Sequence, residues 1–261
     1  MNPNLCRVVL RPRNGFEVFD LAWRFLSVRW SPFVRMFALI YLPLWVTGSV
    51  AGFFLDWHWG VGVVVLALGV GMKAPFTLLT GRLMFADSVS VFSVLWDALR
   101  RFPQWITVAV LHLMAGVLAT VTCGLSALPT TGGLLWVSEC VLLEQRQDAG
   151  LSGGWNAARR SWHLAGQGPA AAVYGVFGSL FLTVWFMALG EATGSVITGF
   201  LLQFGTPFGS PWDLQVTPWM LFGLLAAQPI VAAYRLLLYV DTRTRVEGWD
   251  LQVALRAAGL L

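Results

Sequence analysis

The sequence predicts an all-α polytopic membrane protein with six transmembrane helices and amphipathic interfacial helices on the cytoplasmic side. Composition is the first reason: 57% of the residues are hydrophobic, 11% are charged, and the mean hydropathy is +0.70. Soluble domains have about 45–50% apolar and about 25% charged residues. The second reason is that several apolar runs reach the roughly 20 residues needed to cross a hydrocarbon core of about 30 Å. The third is the distribution of arginine.

Six apolar segments are predicted to cross the membrane, and each is bounded by charge, glycine or proline. They are 33–55, 61–81, 106–125, 132–143, 170–189 and 218–239. The fourth is short for a full crossing, so it must thin the bilayer, lean on neighbouring helices or extend outward. Without it, a five-span alternative places the two termini on opposite sides.

The 17 Lys and Arg residues favour six spans. They lie in the N-terminal arm, in 82–101, in 146–160, in the C-terminal tail or inside a span, whereas the loops near 56–59, 125–131 and 195–216 have none. The positive-inside rule therefore places both termini and both basic loops in the cytoplasm. Sixteen arginines against one lysine suggest a GC-rich bacterial genome, so the expected location is the bacterial inner membrane.

A surface helix followed by two spans can be traced three times in what we predict to be a single membrane domain, 1–261. The first surface helix, 14–30, lies in the arm 1–31. It begins after Asn14, a suitable N-cap, with Glu17 completing a capping-box-like pattern, and Ser31-Pro32 is predicted to end it. The full division is arm 1–31, spans 33–81, surface helix 88–101, spans 106–143, surface helix 152–164, spans 170–239 and cytoplasmic tail helix 241–261. We therefore predict three helix–span–span modules.

The longest outer segment, 190–217, contains the apolar stretch 196–204 followed by residues rich in glycine and proline. The stretch is suited to a short interfacial or re-entrant helix that caps a cavity. An ordinary loop resting on lipid headgroups is the alternative.

Three ionisable residues inside the spans are candidates for a buried polar cluster, because charge within a membrane is costly and is usually paired. Lys73, Glu139 and Arg235 all fall in the inner part of their spans. A carboxylate between two cations is either an interhelical salt bridge that fixes packing or a site for an anionic headgroup or an ion. Lys73-Ala74-Pro75 is also predicted to kink the second span.

Basic segments marked by an aromatic residue recur where the spans end. Trp96 is followed by Arg100 and Arg101, Trp155 by Arg159 and Arg160, and the tail carries Asp241, Arg243, Arg245 and Glu247. These residues are candidates for binding phospholipid headgroups or a protein partner. An interfacial anchor with local salt bridges is the alternative. Nucleic acid is not expected, because the positive charge follows the membrane edges and is not gathered on one soluble face.

Catalysis, a metal and a cofactor are not predicted. The chain has no HExxH pair, CxxC pair or P-loop, and its three cysteines lack the spacing of a metal knuckle or a disulfide framework.

Two stretches carry a family resemblance. Arg11-Pro12-Arg13, Glu17, Asp20-Leu21 and Trp30 resemble the N-terminus of uncharacterised bacterial multi-span proteins, classed as a domain of unknown function. Their genes lie beside those of MoxR-type AAA+ ATPases and of von Willebrand factor A, RDD-type and sporulation-stage-II-M-like proteins. The tail Tyr239-x-Asp241-x-Arg243-x-Arg245-x-Glu247-Gly248-x-Asp250 is similar to the end of that group. It is also similar to the membrane domain of some glycerophosphodiester phosphodiesterases. Ala74 departs from the group, which tends to have proline directly after the lysine.

The resemblance implies an inner-membrane component of a multiprotein system that a cytoplasmic AAA+ ATPase serves. The first functional hypothesis is therefore a non-enzymatic scaffold or subunit that docks partners through its basic cytoplasmic face. Its expected partners are phospholipid and other membrane proteins of the same complex. The alternative is a lipid-binding or transport component that uses the Lys73, Glu139 and Arg235 cluster, and a membrane-embedded enzyme comes third.

Overall fold

The computed structural model describes residues 13–86, 88–101, 108, 110–111, 114, 121–122, 127–143, 151–204, 208, 211 and 215–248. Over these residues the chain is all-helical, without a β-strand. Numbered in chain order, the helices are α1 (Gly15–Val28), α2 (Trp30–Phe54), α3 (Trp59–Gly71), α4 (Ala74–Leu83), α5 (Val91–Arg100), α6 (Ala127–Gly133), α7 (Val137–Leu143), α8 (Leu151–Gln167), α9 (Pro169–Ser195) and α10 (Pro218–Glu247). A π-helix, Val196–Leu201, follows α9 directly.

Four helical segments within the described ranges are long and apolar enough to cross a membrane. They are Trp30–Phe54, Trp59–Leu83, Pro169–Leu201 and Pro218–Glu247. Only 17% of the most apolar window is buried in the first and third of these, against 89% in the last. Helices this apolar and this exposed are expected to face lipid, whereas a helix that is apolar all round and buried forms the core. The predicted third span, 106–125, lies largely outside the described residues.

The predicted fourth span, 132–143, is not one continuous helix. α6 ends at Gly133, three residues of turn follow, and α7 begins at Val137. Each of the two helices has seven residues, a length of about 10 Å at about 1.5 Å per residue. Neither can cross a hydrocarbon core of about 30 Å. The turn is held by Ser161 of α8, whose hydroxyl accepts from the backbone N–H of Trp136 at 3.1 Å and donates to the carbonyl oxygen of Gly133 at 2.7 Å.

Proline positions explain two helix boundaries. The interruption predicted at Lys73-Ala74-Pro75 is present, because α3 ends at Gly71 and α4 begins at Ala74. The break predicted at Ser31-Pro32 between the surface helix and the first span lies slightly earlier: the helices separate at Arg29, and both Ser31 and Pro32 lie in the first turn of α2. Proline is tolerated in a first turn because the N–H that it lacks has no intrahelical acceptor there.

The fifth and sixth spans continue further than predicted. α9 passes residue 189 and leads into Val196–Leu201, so the stretch predicted as a separate re-entrant helix in 196–204 instead extends the span. Helical continuation keeps the backbone N–H and C=O groups paired where no water is present. α10 likewise runs through 241–247, so these residues belong to the last long helix, and the predicted tail helix beyond residue 248 lies outside the described ranges.

The chain divides into two units. Unit 1 comprises Met1–Arg29, Ala74–Ser179 and Ala232–Leu261. Its helices α1, α5 and α8 each bury one face and leave bulky apolar side chains exposed on another. The exposed residues are Phe16, Trp23, Phe92, Trp96, Trp155 and Trp162, and the buried ones include Val18, Ala22, Val94, Ala157 and Leu164. Surface helices with exposed tryptophans are typical of the membrane interface.

Unit 2 comprises Trp30–Lys73 and Leu180–Val231. Aromatic side chains there donate hydrogen bonds to backbone oxygens of neighbouring segments. The Tyr41 hydroxyl donates to the carbonyl oxygen of Gly69 at 2.9 Å, and the Trp45 indole N–H donates to that of Pro218 at 2.7 Å. Two side chains of α2 thus satisfy backbone carbonyls of other helices: Tyr41 one in the last turn of α3, and Trp45 one at the start of α10.

Glycines set the closest helix contact in unit 2. A Cβ atom added at Gly223 of α10 would lie 2.1 Å from the carbonyl oxygen of Phe186 in α9, and one added at Gly190 would lie 2.4 Å from that of Trp219. The two backbones therefore touch directly. Small residues at helix interfaces permit this approach, and Gly190 and Gly194 have the spacing of a small-xxx-small pair.

Candidate functional site

Two tryptophan–arginine pairs stand out on the amphipathic helices of unit 1. The guanidinium carbon of Arg100 lies 5.5 Å from the ring centroid of Trp96, and that of Arg159 lies 6.0 Å from the ring of Trp155. Both tryptophans are 53% exposed, and both arginines are exposed. The spacing of four residues places each cation over the ring on one helix face. Each pair presents an apolar body and a positive charge outward.

The second arginine of each segment has a different role. Arg101 donates from Nη1 to the carbonyl oxygen of Leu142 at 2.6 Å, near the C-terminus of α7, where cations are favoured. Arg160 forms an ion pair with Glu247 of α10. Both arginines are half-buried. The four arginines predicted as one binding set therefore divide into two outward ones and two that connect helices.

Acidic and basic residues of the tail segment pair within unit 1. Arg243 Nε lies 2.8 Å from Glu247 Oε2, and Arg245 Nε lies 2.9 Å from Asp241 Oδ2. Asp241 is buried, and its other oxygen accepts the backbone N–H of Arg13 at 2.7 Å. These contacts follow from the helical continuation of α10, which brings residues four apart onto one face. They agree with the alternative of an anchor with local salt bridges.

The predicted intramembrane cluster is present in part. Arg235 Nε lies 3.6 Å from Glu139 Oε1, and the two side chains are 9% and 0% exposed. The Ser138 hydroxyl donates to Glu139 Oε2 at 2.6 Å. Lys73 is also buried, but it belongs to unit 2.

The buried pair does not complete its hydrogen bonds. An N–H···O hydrogen bond spans about 2.7–3.2 Å, so the 3.6 Å between Arg235 Nε and Glu139 Oε1 is too long for one. The two charges still attract each other at that distance. Among the described residues, Glu139 Oε1 and the Nε and Nη2 atoms of Arg235 have no hydrogen-bond partner. Such buried donors and acceptors keep unused hydrogen-bonding capacity for further polar atoms, including water.

Sequence reasoning missed Glu191. It was expected in the outer segment 190–217, but it lies inside α9. The Thr217 hydroxyl donates to Glu191 Oε2, and the Ser195 hydroxyl donates to Oε1 at 3.3 Å. The glycine spacing around it, Gly190 and Gly194, was the available signal that the helix continues and packs closely.

The segment Gly150-Leu151-Ser152-Gly153-Gly154 has the letters of the Gly-x-Ser-x-Gly nucleophile elbow. An elbow places its serine on a turn between a strand and a helix. Here α8 begins at Leu151, and His163, the histidine on the same helix, lies eleven residues further along. That distance is about 16 Å along the axis, too far for a base to reach the serine.

Two clefts in unit 1 are formed by residues that the structure describes. One of about 400 Å³ is bordered by the first residues of α1 and α9 and by the last turns of α10, and its charged lining residues are Arg13, Asp241 and Arg245. The other, of about 300 Å³, is lined by Trp162 and small or apolar residues of α6, α8 and α9. Only the first combines charge with concavity.

Comparison with known protein families, curated proteins and solved structures finds no match to this chain.

Proposed function

We propose that this chain is a non-enzymatic scaffold or subunit of a membrane complex, held at the membrane surface by the tryptophan–arginine pairs of α5 and α8. The observation that carries the proposal is the outward position of Arg100 and Arg159 over exposed tryptophan rings. The other residues predicted for docking largely pair within unit 1. Phospholipid is thus the partner that the exposed charges fit best.

Interfacial energetics support this role. Tryptophan is enriched at the headgroup level, and an arginine near an anionic surface contributes about 1 kcal/mol. Amphipathic helices bind the interface in proportion to the apolar area they insert. Two Trp–Arg pairs on separate helices would fix the orientation of unit 1 against the membrane, which a scaffold needs in order to present partner surfaces consistently.

The proposal includes the finer topology: six spans in three helix–span–span modules, with α6 and α7 together forming a broken fourth crossing, both termini in the cytoplasm and residence in the bacterial inner membrane. The absence of Lys and Arg from the loops near 56–59 and 195–216 supports it. Thiol labelling in a cysteine-free background tests on which side of the membrane each end of the second span lies. In intact spheroplasts a membrane-impermeant maleimide should label His58→Cys, and it should label Ser90→Cys only after permeabilisation. Labelling of both from one side would overturn the topology.

Partner proteins of the same membrane complex, and a cytoplasmic AAA+ ATPase, are proposed on the family resemblance alone. The test is purification of the tagged full chain in mild detergent. We expect a protein partner to copurify in stoichiometric amount. The double variant Arg100→Glu with Arg159→Glu should reduce the amount of this partner, whereas Arg24→Glu, a change at an exposed arginine of α1, should not. Recovery of the chain alone with bound lipid would count against a scaffold.

A lipid-binding or transport component remains the second candidate, because Glu139 and Arg235 are buried with unfilled hydrogen-bonding capacity. Glu139→Gln separates the cases. Loss of assembly without change in retained lipid indicates a packing role, whereas a stable protein that loses a bound lipid or a transported ion indicates the second function.

A further inference from the structure

The cleft of about 400 Å³ in unit 1 has the features of a small-molecule site. Ligand clefts usually have volumes of roughly 300–1,000 Å³ and a few convergent polar groups. Here α1 and α9 begin at the cleft, and α10 forms one wall with Leu238, Asp241 and Arg245. All of its lining residues belong to unit 1.

Two arginines supply positive charge to this cleft. Arg245 is about half exposed, and its Nε is held 2.9 Å from Asp241 Oδ2. Its Nη2 also donates to the backbone oxygen of Arg13. The guanidinium group of Arg13 has no ion-pair partner among the residues that the structure describes. One guanidinium is therefore fixed in place, and a second is available to a ligand.

Asp241 does not cancel this charge for a ligand. It is buried, and its two carboxylate oxygens accept from the Arg13 backbone N–H and from Arg245 Nε. A carboxylate whose oxygens are already engaged positions its neighbours and does not line the cleft with free negative charge. Asp241 holds Arg13 and Arg245 at the same edge of the cleft.

Backbone groups at the cleft favour the same ligand charge. Asn14 stands at the N-cap of α1 without a side-chain cap hydrogen bond, and Gly168 precedes α9 with no side chain to cap it. The N–H groups of Ala170 and Ala171 lie in the first turn of α9, where no intrahelical acceptor exists. These donors add to the arginines and favour an anion.

The cleft wall also carries apolar surface beside its charge. The ring of Tyr174 in α9 is 42% exposed and lies against Gly15, two residues from Arg13 in the chain, and buried Leu238 of α10 borders the same cleft. Arginine charge next to an exposed aromatic ring matches an amphiphile better than a fully hydrated ion.

We propose that this cleft binds a phosphate group, and that the group is the headgroup phosphate of an anionic phospholipid. Arg13 and Arg245 hold the phosphate oxygens, the first turn of α9 adds N–H donors, and the glycerol backbone lies toward Tyr174 and Leu238. The site is separate from the tryptophan–arginine pairs, so it does not depend on the scaffold function.

Arg13→Ala is the decisive variant, because the contacts that Arg13 makes with Asp241 and Arg245 use only its backbone atoms. The full chain, delipidated in detergent, is titrated with phosphatidylglycerol, with diacylglycerol lacking phosphate and with inorganic phosphate. Bound lipid is counted by native mass spectrometry, and the melting temperature is followed in parallel. Arg24→Ala is the matched control at an exposed arginine outside the cleft.

We expect phosphatidylglycerol, but not diacylglycerol, to bind and to raise the melting temperature. Arg13→Ala should weaken this binding by about tenfold or more, whereas Arg24→Ala should not. Ala171→Asp, which adds a carboxylate to the first turn of α9 where acidic residues suit a helix, should also abolish it. Arg13-dependent stabilisation by inorganic phosphate equal to that by the lipid would assign the site to free phosphate. Lipid binding that is unaffected by Arg13→Ala would overturn the proposal, whatever the effect of Ala171→Asp.

Discussion

The contact between α9 and α10 at Gly223 makes a quantitative prediction. In Gly223→Ala the new Cβ would lie 2.1 Å from the carbonyl oxygen of Phe186 and 3.0 Å from the Cα of Met187. Both are backbone atoms, so no side-chain rotation can relieve the clash. A carbon and a carbonyl oxygen in close contact stay about 3.3 Å apart, so the helices must separate by about 1.2 Å at this point.

Separation of this size removes packing on both sides of the crossing. Overpacking in a well-packed interior costs about 1–3 kcal/mol, and about 1 kcal/mol corresponds to about 2–4 °C in melting temperature for a chain of this size class. We therefore expect Gly223→Ala to melt about 4–8 °C below the wild type in detergent, if the cost is about 2 kcal/mol.

Gly71→Ala is the matched control for this prediction. It lies in the same unit, and a Cβ added there meets no atom within 4 Å. Replacing glycine by alanine in an unobstructed helical position is neutral or stabilising, because the unfolded chain loses freedom. If Gly223→Ala melts with Gly71→Ala at or above the wild type, the direct backbone contact between α9 and α10 is refuted.

Three further changes test the buried polar contacts by thermal melting of purified protein. Arg101→Ala should destabilise by about 1.5–3 kcal/mol because it leaves the Leu142 carbonyl without its donor, whereas Arg100→Ala should leave stability unchanged. Equal losses of stability in Arg101→Ala and Arg100→Ala would contradict the inference that Arg101 connects helices and Arg100 does not. Glu139→Gln should cost about 3–5 kcal/mol by leaving the charge of Arg235 uncompensated, and Arg235→Met in the same chain should recover part of it. Ser161→Ala should cost about 1–3 kcal/mol, because two buried backbone groups lose a partner; a neutral result would mean water replaces the hydroxyl.

Local patterns were sufficient to predict much of the helical layout. The amphipathic helix predicted in 14–30 is α1, Gly15–Val28, because the spacing of its apolar residues is a property of adjacent residues. Asn14 takes the N-cap position as predicted, but its side chain makes no cap hydrogen bond. The interruption before Pro75 follows equally from local sterics. Ion pairs between Asp241 and Arg245 and between Arg243 and Glu247 needed only a helix through those positions.

Features that depend on distant segments could not be predicted. The turn between α6 and α7 depends on Ser161, which is 25 residues from Trp136 in sequence. Arg100 and Arg101 are the same residue type at adjacent positions, so the sequence does not distinguish their roles. Adjacent residues on a helix point about 100° apart, and Arg100 therefore faces outward while Arg101 reaches Leu142. Nothing in the sequence of α5 shows which neighbour lies on either side.

The same limit applies to the outer segment. For residues 196–204 the sequence offered a short interfacial or re-entrant helix or an ordinary loop, and neither prediction anticipated a longer span. The contact of Gly190 with α10 is a tertiary feature that makes continuation of α9 favourable. Glu191 is placed in a helix as a result, beside Thr217.

The high burial of α10 has a consequence for biosynthesis. This helix is made after every other described helix, yet 89% of its most apolar window is buried, and it carries the arginine that faces Glu139. At about 5–20 residues per second, the ribosome needs roughly 5–20 s to proceed from Glu139 to Arg235. Over that interval the earlier helices lack this partner, and Glu139 lacks its cation. Assembly therefore finishes in a late step, and chains interrupted before α10 are the ones that membrane quality-control proteases should recognise.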